Sequence, residues 1–505
     1  MSSNERLLLV ALVLLVYGLF CLWFARGYFR RGGLVAASDT LVAYASQTGT
    51  ALALARQMLA VLPANTRLLP LNQVDDKVLS SARRALIIAS TYGDGEAPDN
   101  GARFAQRCVT GKPLANLEFA VLAIGDSSYP RYCRFGRSLH QGLLERGAQP
   151  LSQPVELDAS QQEATASALE RWHSLFRTLD DAAKIEPLQS EAASLRQLWV
   201  MKQRTLLNPG SPGGPLFLVQ FIPAEGQACD WQAGDIVDVT PTNDRSRCRQ
   251  VLTQLGLNPK TQSIDPNRLM SFEDALVSRE LPDVPPTLSR FDDETIDQWI
   301  TQLPIIQSRK YSIASIATGG TLDLVIRQQR DENGRLGLAS GWLTRQIEID
   351  DSVSIQIHSN PLFRSPEPEV PLLLIGNGSG IAGLRAHLYR RREHGAKRNW
   401  LIFGERDPKA DRLFADEINA WLESATLERL NLVFSRCPRR PMYVQDALYK
   451  NEDNVEAWVS SGAAIMVCGS RQGMAQDVDK ALTDIVGRDV LDELEAAGRY
   501  LRDVY

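Results

Sequence analysis

The segment LVAYASQTGTALALARQMLAVL, residues 41–62, decides the fold because it contains a strand, a turn and a helix in direct succession. Residues 41–45 have the apolar character of a buried strand, and residues 51–62 have helical periodicity. The turn at 46–50 places backbone N–H groups and hydroxyl side chains at a helix N-terminus, an arrangement that binds phosphate. It has no lysine, which excludes a Walker loop. The segment predicts an α/β domain whose first turn is either a plain helix cap or a phosphate site.

Two further strand ends favour the phosphate site over the plain cap. The segments ALIIASTYGDGEAPDNG (85–101) and FAVLAIGDSSYPRYCRFG (119–136) each run from an apolar strand into a glycine-rich loop with an aromatic residue. Ligands of open α/β sheets bind at the carboxyl ends of the strands, so the three loops should converge on one crevice. There Tyr92 and Tyr129 can sandwich a flat ring whose phosphate lies on the first turn.

The composition is that of an ordinary globular protein of about three domains. The 505 residues carry a net charge of -5 and show no basic stripe, so nucleic-acid binding is not predicted. The 7 cysteines and 5 histidines follow no disulfide or metal-ligand spacing. We therefore predict a reduced, cytoplasmic protein without a metal site.

An uncharged apolar run, LLLVALVLLVYGLFCLWFA at 7–25, precedes these motifs. As a helix it would span about 28 Å, close to the thickness of the bilayer core. The alternatives are a signal peptide or a buried helix. Three arginines follow the run, whereas Arg6 alone precedes it, so the positive-inside rule orients the later domains toward the cytoplasm. The run predicts a single-pass anchor in the inner cell membrane, with the catalytic domains cytoplasmic.

The pattern beyond residue 195 changes to strands separated by turns. The segments LWVMKQRTLL (198–207), PLFLVQFI (215–222) and WQAGDIVDVTP (231–241) predict an antiparallel barrel, with a helical insertion at 248–305. The motifs RKYSIAS and GLASGWL follow. Arg309 can pair with a pyrophosphate, Tyr311 can stack on a flavin, and backbone N–H groups at 337–340 can bind phosphate.

The segment VPLLLIGNGSGIAGLRAHL (370–388) combines a buried strand, a glycine-rich turn and a helix, as in a dinucleotide-binding loop. Three further strand–loop–helix units follow it. Their loops carry arginines that can surround a ribose 2′-phosphate, and no carboxylate is expected at a strand end to hold a free 2′-hydroxyl, so NADPH is predicted over NADH. The residues of this predicted phosphate site are Arg406, Ser435, Arg436 and Arg440.

In this order the motifs resemble the diflavin reductases, the family of sulfite reductase flavoproteins and of reductases that serve haem monooxygenases. TYGDGEAPDNG and GDSSY match the FMN-binding loops of flavodoxins fused to reductases. The resemblance covers residues 41–505 and implies an α/β protein with a flavodoxin-like domain followed by a ferredoxin-NADP reductase-like module. The predicted ranges are a transmembrane anchor at 1–33, an FMN domain at 34–184, a linker at 185–194, an FAD barrel at 195–369 and an NADP domain at 370–505.

The resemblance also implies the site residues. Ser312 would hydrogen-bond the flavin edge, Cys468 would pack on the nicotinamide, Asp503 would stabilise charge on the ring, and Tyr505 would cover the FAD ring as a displaceable lid. The predicted FMN residues are Ser46, Gln47, Thr48, Gly49, Thr50, Ser90, Thr91, Tyr92, Gly93, Ile124, Gly125, Asp126, Tyr129, Tyr132 and Cys133. The predicted FAD and NADPH residues are Arg309, Lys310, Tyr311, Ser312, Gly337, Leu338, Ala339, Ser340, Gly378, Ser379, Arg406, Ser435, Arg436, Tyr443, Gln445, Asp477 and Tyr505.

The sequence departs from the family pattern at a few positions. Pro441 replaces a lysine, Ser470 replaces an acidic residue, and Gly383-Leu384 replaces Pro-Phe, while Arg439 and Arg440 lie close enough to substitute for the lost lysine. Pro130 stands where an acidic residue is usual, which bears on partner docking.

These observations predict a membrane-anchored reductase that passes electrons from NADPH to FAD, to FMN and then to a one-electron acceptor. A membrane haem protein is the predicted acceptor, because the anchor would hold the reductase at the bilayer. The alternatives are a ferric-siderophore reductase component, a sulfite reductase flavoprotein, or an inactive membrane-tethered scaffold that binds flavin.

Overall fold

The computed structural model describes residues 39–92, 95–127, 129, 131–177, 196–225, 230–260, 270–282 and 293–505. Within these ranges the strands form three sheets. No helix in the described part is long and apolar enough to cross a membrane. The apolar run at 7–25 and the predicted site residue Gly93 lie outside the described residues, so the anchor and the role of Gly93 stay predictions.

The first sheet is parallel, with the order β2-β1-β3-β4-β5 and with β6 also paired to β4. Its strands are β1 (Thr40–Ala45), β2 (Arg67–Pro70), β3 (Arg84–Ser90), β4 (Glu118–Gly125), β5 (Gln149–Pro150) and β6 (Val155–Asp158). Its helices are α1 (Thr50–Val61), α2 (Asp76–Ser81), α3 (Ala102–Cys108), α4 (Arg134–Glu145) and α5 (Gln162–Arg177). Apolar clusters pack on both faces, which explains why the central strands are almost continuously hydrophobic.

The second sheet is antiparallel, with the order β10-β9-β12-β7-β8-β11, and the Ile313–Leu324 bridge joins its two ends into a barrel. Its strands are β7 (Gln197–Leu206), β8 (Leu216–Pro223), β9 (Ile236–Val239), β10 (Arg309–Ser312), β11 (Leu322–Arg327) and β12 (Ser352–His358). Helices α6 (Arg245–Gln254), α7 (Phe272–Val277) and α8 (Asp293–Gln302) are inserted between β9 and β10 and have a small core of their own. Helix α9 (Leu338–Gly341) follows β11.

The third sheet is parallel, with the order β15-β14-β13-β16-β17. Its strands are β13 (Leu372–Asn377), β14 (Asn399–Glu405), β15 (Arg429–Phe434), β16 (Ala464–Gly469) and β17 (Tyr500–Val504). Its helices are α10 (Ile381–Glu393), α11 (Ala415–Glu423), α12 (Val444–Lys450), α13 (Glu452–Ser460), α14 (Gln476–Val486) and α15 (Arg488–Ala496). The order reverses at β13, so the crevice at the carboxyl ends of β13, β14 and β16 is where this topology binds ligands.

Candidate functional site

The turn at 46–50 is held by its own first residue. Ser46 Oγ accepts hydrogen bonds from the N–H groups of Gly49 (2.9 Å) and Ala51 (3.2 Å). Gly49 has φ of 95°, in the left-handed region, and a Cβ at this position would lie 2.6 Å from Pro361 Cγ of the barrel domain. The glycine is therefore required both by the turn and by the close approach of the barrel.

The second loop leaves one polar atom without a protein partner. The Thr91 N–H donates to the Ile124 carbonyl (2.7 Å), whereas the buried Thr91 Oγ1 has no partner among the described residues. Tyr92 exchanges two backbone hydrogen bonds with Glu96. Burial, together with the charges of Asp503 and Asp99, raises the pKa of Tyr92. This loop thus lies beside residues of the third sheet.

The third loop contacts the barrel through Tyr129. Its hydroxyl donates to the Ser308 carbonyl (3.2 Å), next to β10, and burial raises its pKa. The thiol of Cys133, at the end of this loop, is fully buried and donates to the Ala123 carbonyl (3.2 Å). Burial raises the pKa of this thiol to about 12. Its side chain is therefore turned into the first domain, and a cofactor contact at Cys133 would involve its backbone.

A cleft of about 300 Å³ lies between the barrel and the third sheet. The predicted residues that line it are Arg309, Lys310, Tyr311, Ser312, Gly337, Leu338, Ala339, Ser340, Ser379 and Tyr505. The sequence analysis missed the other lining residues, which are Glu280, Gln307, Val325, Arg327, Gln329 and Ala382. These lie outside recognisable motifs. Gln307 Oε1 is buried and has no partner in the described structure, as expected of a group that binds a ligand.

Two features of the cleft bear on the expected binding of a flavin and phosphate. Tyr311 is half-buried beside the cleft. Burial raises its pKa to about 12, so its hydroxyl stays neutral. The N–H of Gly337 donates to the Gln329 carbonyl (2.9 Å), and Ser340 Oγ accepts from the Gln329 N–H (3.0 Å). The Gly337 N–H is therefore already used within the barrel and is not free for a phosphate.

The predicted catalytic group is brought together across the boundary between two domains. Ser312 Oγ, at the end of β10, donates to Asp503 Oδ2 (2.6 Å), and Cys468 Sγ lies 3.9 Å from the same oxygen. Strands β16 and β17 place Cys468 directly opposite Asp503. Burial raises the pKa of the Cys468 thiol and the pKa of the Asp503 carboxyl. The hydrogen bond from Ser312 partly offsets the rise in the pKa of Asp503.

Tyr505 lies over this group with its side chain 46% exposed. Its hydroxyl donates to Ser379 Oγ (3.2 Å) in the glycine-rich turn after β13. Its backbone N–H donates to the Gly469 carbonyl (3.1 Å), and its backbone oxygen accepts from the Arg471 N–H (3.0 Å). The backbone is therefore fixed, and the ring is held by one exposed hydrogen bond that a ligand could replace.

The residues predicted to bind a 2′-phosphate lie at two neighbouring strand ends. The N–H groups of Ser435 and Arg436 donate to the carbonyls of Glu405 (2.9 Å) and Arg406 (2.8 Å), which joins the loops after β14 and β15. Gln445 Nε2 donates to Asp477 Oδ2 (3.3 Å) in a second group of predicted residues. The exposed Tyr443 precedes α12, at the start of this second group. Gly378, with φ of 57°, lies in the glycine-rich turn after β13.

One carboxylate does lie at a strand end, because Glu405 is the final residue of β14. Its side chain is only 3% exposed and forms an ion pair of 2.7 Å with Arg327 of the barrel. Burial raises the pKa of Glu405, and the Arg327 charge opposes that shift. The carboxylate thus joins β14 to the barrel, and its Oε2 also accepts a hydrogen bond from the Arg406 N–H (3.2 Å).

Comparisons with known proteins agree with this architecture. The family model described as Flavodoxin matches residues 42–172. The chain is 28% identical to the sulfite reductase [NADPH] flavoprotein alpha-component of Mannheimia succiniciproducens, over 92% of this chain and 90% of that protein. Proteins with the same name from Vibrio vulnificus (28% identity, 93% of this chain and 88% of the relative) and Yersinia enterocolitica (29%, 93% and 90%) match equally broadly.

Proposed function

The chain belongs to the diflavin reductase family, and from this premise we propose that it delivers electrons from NADPH to a haem protein at the membrane. It is an NADPH-dependent flavoprotein reductase whose cofactors are FMN, FAD and NADPH. The observation that carries the proposal is the contact of the first-domain loops with the other two domains, through the Tyr129–Ser308 hydrogen bond beside β10 and the ion pair of Glu96 with Arg471. The antiparallel barrel and the third sheet act together as a ferredoxin-NADP reductase-like module.

The residues present fit these cofactors. Two buried oxygens, Thr91 Oγ1 in the first domain and Gln307 Oε1 in the cleft, have no partners in the described structure. Buried polar atoms are normally hydrogen-bonded, so each is suited to a ligand group. The loop at 46–50 would hold the FMN phosphate, and the cleft from Arg309 to Ser312 would hold FAD.

When bound, the flavins convert the two electrons of a hydride into single-electron transfers. The residues of the chain position the bound cofactors and provide the electrostatic environment around them. Ser312 and Asp503 form a hydrogen-bonded pair where the nicotinamide must meet the cleft, and Cys468 provides a buried, uncharged surface beside them. The ring of Tyr505 shields this place from water until it is displaced. Asp503, as a carboxylate, would stabilise positive charge at that point.

The proposal also names an electron acceptor and a membrane location. The uncharged apolar run at 7–25 supports an anchor, and an anchored reductase has most use for an acceptor in the same membrane. A second candidate acceptor is a haem partner involved in sulfite reduction. The names of the relatives favour it, because they are described as the alpha-components of sulfite reductases.

The test is an anaerobic absorbance difference spectrum of native membranes before and after addition of NADPH. We expect flavin bleaching followed by a reduced haem band. The matched controls are membranes with Asp503→Asn, which should slow both signals, and cells that express residues 34–505, which should lose the membrane haem signal. Flavin bleaching without a haem band would overturn the membrane acceptor, and recovery of the band on adding soluble extract would favour the sulfite-reducing partner. Absence of flavin bleaching in the wild type would overturn the reductase function itself.

A further inference from the structure

The turn between β7 and β8, Asn208–Gly214 with the sequence NPGSPGG, crosses from the barrel onto the third-sheet domain. It is anchored there by Asp411, which is 2% exposed. The Asp411 carboxylate accepts hydrogen bonds from Asn208 Nδ2 (3.1 Å), Ser211 Oγ (3.0 Å) and the Asp407 N–H (2.8 Å). A buried carboxylate with several donors fixes both partners, so the turn has a defined position on the nucleotide domain.

This turn touches Arg406 and Arg436, two of the three arginines of the predicted 2′-phosphate site. Arg436 Nη1 donates to the Pro212 carbonyl (3.2 Å). The Arg406 side chain lies across Gly213, where a Cβ would be 2.5 Å from Arg406 Nη1 and 3.0 Å from its Cδ. The absence of a side chain at Gly213 is therefore what lets the Arg406 guanidinium take this position.

The turn orients the arginines without neutralising them. It has no charged side chain, and Arg436 donates to a backbone carbonyl. Two carboxylates beside this site already have partners, Glu405 in Arg327 and the Arg406 N–H, and Asp411 in the turn. In the part of the chain that the structure describes, neither Arg406 nor Arg436 forms an ion pair, so both keep their charge for an anion.

We propose that the Asn208–Gly214 turn is a positioning element for NADPH, which holds Arg406 and Arg436 in place to receive the ribose 2′-phosphate. Selectivity for NADPH over NADH then depends on the barrel as well as on the nucleotide domain. The inference rests on the proposed function, because it assumes that this crevice binds NADPH.

The test uses the full-length holoenzyme with Gly213→Ala and Ser211→Ala, and ferricyanide as the electron acceptor. Gly213 has no positive φ, and its nearest contact is the end of a flexible side chain, so alanine should fold while displacing Arg406. We expect Gly213→Ala to raise the KM for NADPH and the inhibition constant of 2′,5′-ADP about tenfold, the cost of weakening one charge-assisted contact. The kcat, the KM for NADH and inhibition by 5′-AMP should change less than twofold.

The matched control is Gly319→Ala, a barrel glycine with open space around its Cβ position, which should leave all these constants unchanged. Equal losses for NADPH and NADH would overturn the inference, because the turn would then support the domain and not the phosphate site. If the wild type binds 2′,5′-ADP more tightly than 5′-AMP, and both variants discriminate between NADPH and NADH as the wild type does, only the inference is overturned. A wild type that does not distinguish 2′,5′-ADP from 5′-AMP would overturn the predicted cofactor choice, and the inference with it.

Discussion

The third-sheet domain has two interfaces that differ in kind. Toward the barrel, Arg385 is 6% exposed and pairs with Asp323 (2.8 Å, 4% exposed), while its other edge pairs with Glu417 (2.7 Å). Toward the first domain, Arg103 is 34% exposed and pairs with Asp492 (2.7 Å) and Glu495 (2.6 Å).

Two further arginines of the third-sheet domain contact the acidic loop after β3. Arg471 pairs with Glu96 and donates to the Ala97 carbonyl (2.9 Å), and Arg502 lies 3.7 Å from Asp99. Exposed pairs contribute little to stability, whereas breaking a buried pair is costly. We therefore expect the barrel and the third-sheet domain to form one permanent unit, on which the first domain is docked reversibly.

The largest expected effect comes from breaking the buried interface. Arg385→Ala leaves Asp323 and Glu417 without their shared partner, and we expect the free energy of unfolding of the barrel and third-sheet unit to fall by about 3–5 kcal/mol. Urea denaturation followed by tryptophan fluorescence measures this. Lys202→Ala, which removes an exposed pair with Asp350, is the control and should cost less than about 1 kcal/mol. Similar losses of unfolding free energy in Arg385→Ala and Lys202→Ala would contradict the distinction between buried and exposed ion pairs.

The next effect tests whether the permanent interface carries the chemistry. Asp503→Asn keeps the size of the side chain but removes its charge, and we expect hydride transfer to slow about a hundredfold, with flavin content unchanged. Since burial raises the pKa of Asp503, the wild-type rate should fall as pH falls through that raised pKa, and the variant should lack this step. Stopped-flow flavin bleaching measures both, with the exposed Asp489→Asn as control. If the hydride-transfer rates of the wild type and of Asp503→Asn have the same pH profile, Asp503 does not have this role.

A smaller effect is expected at the docked interface. Arg103→Ala combined with Arg471→Ala removes three partly exposed ion pairs, each worth at most about 1 kcal/mol, so the separated state should gain about tenfold in population. Small-angle X-ray scattering should show a larger radius of gyration, while the unfolding midpoint of the permanent unit stays constant. Arg137→Ala, which breaks an exposed pair with Glu156 inside the first domain, is the control. Loss of stability in the permanent unit would show that the two interfaces are not independent.

The smallest effect is that of salt on the wild type. Screening lengths shorten from about 10 Å at 0.1 M to about 3 Å at 1 M, so exposed pairs weaken and buried ones change little. We expect scattering to show a separated fraction that rises about threefold across this range, with a weaker response in the Arg103 and Arg471 double variant. A salt response that is identical in the two proteins would assign docking to contacts other than these arginines.

Much of the fold could be predicted because its signals are local. The strand before the 46–50 turn, predicted at 41–45, is Thr40–Ala45, and strands precede the Tyr92 and Tyr129 loops as the segments 85–101 and 119–136 indicate. The cleft residues from Arg309 to Ser312 could also be predicted, because they form a contiguous motif with a chemical rationale.

The remaining features depend on residues that are distant in the sequence. Arg327 lines the cleft and pairs with Glu405, 78 positions later, and no motif links the two. The partners of the strand-end carboxylate Glu405 could therefore not be predicted from local sequence. Cys133 was predicted from its place in a loop, although its thiol direction is set by the left-handed backbone at that residue (φ 53°). Pairings such as Arg103 with Glu495 follow from how whole domains pack, which local patterns do not encode.

The Tyr129 hydroxyl donates to a backbone carbonyl, that of Ser308, and this has an evolutionary consequence. A carbonyl is supplied by every amino acid, so this hydrogen bond could persist if the residue at position 308 changed. Docking of this kind leaves no covarying residue pair for an alignment to detect. A homologous first domain with a tyrosine at the same loop position would find this acceptor in place, but it would also need partners for Arg471 and Arg502.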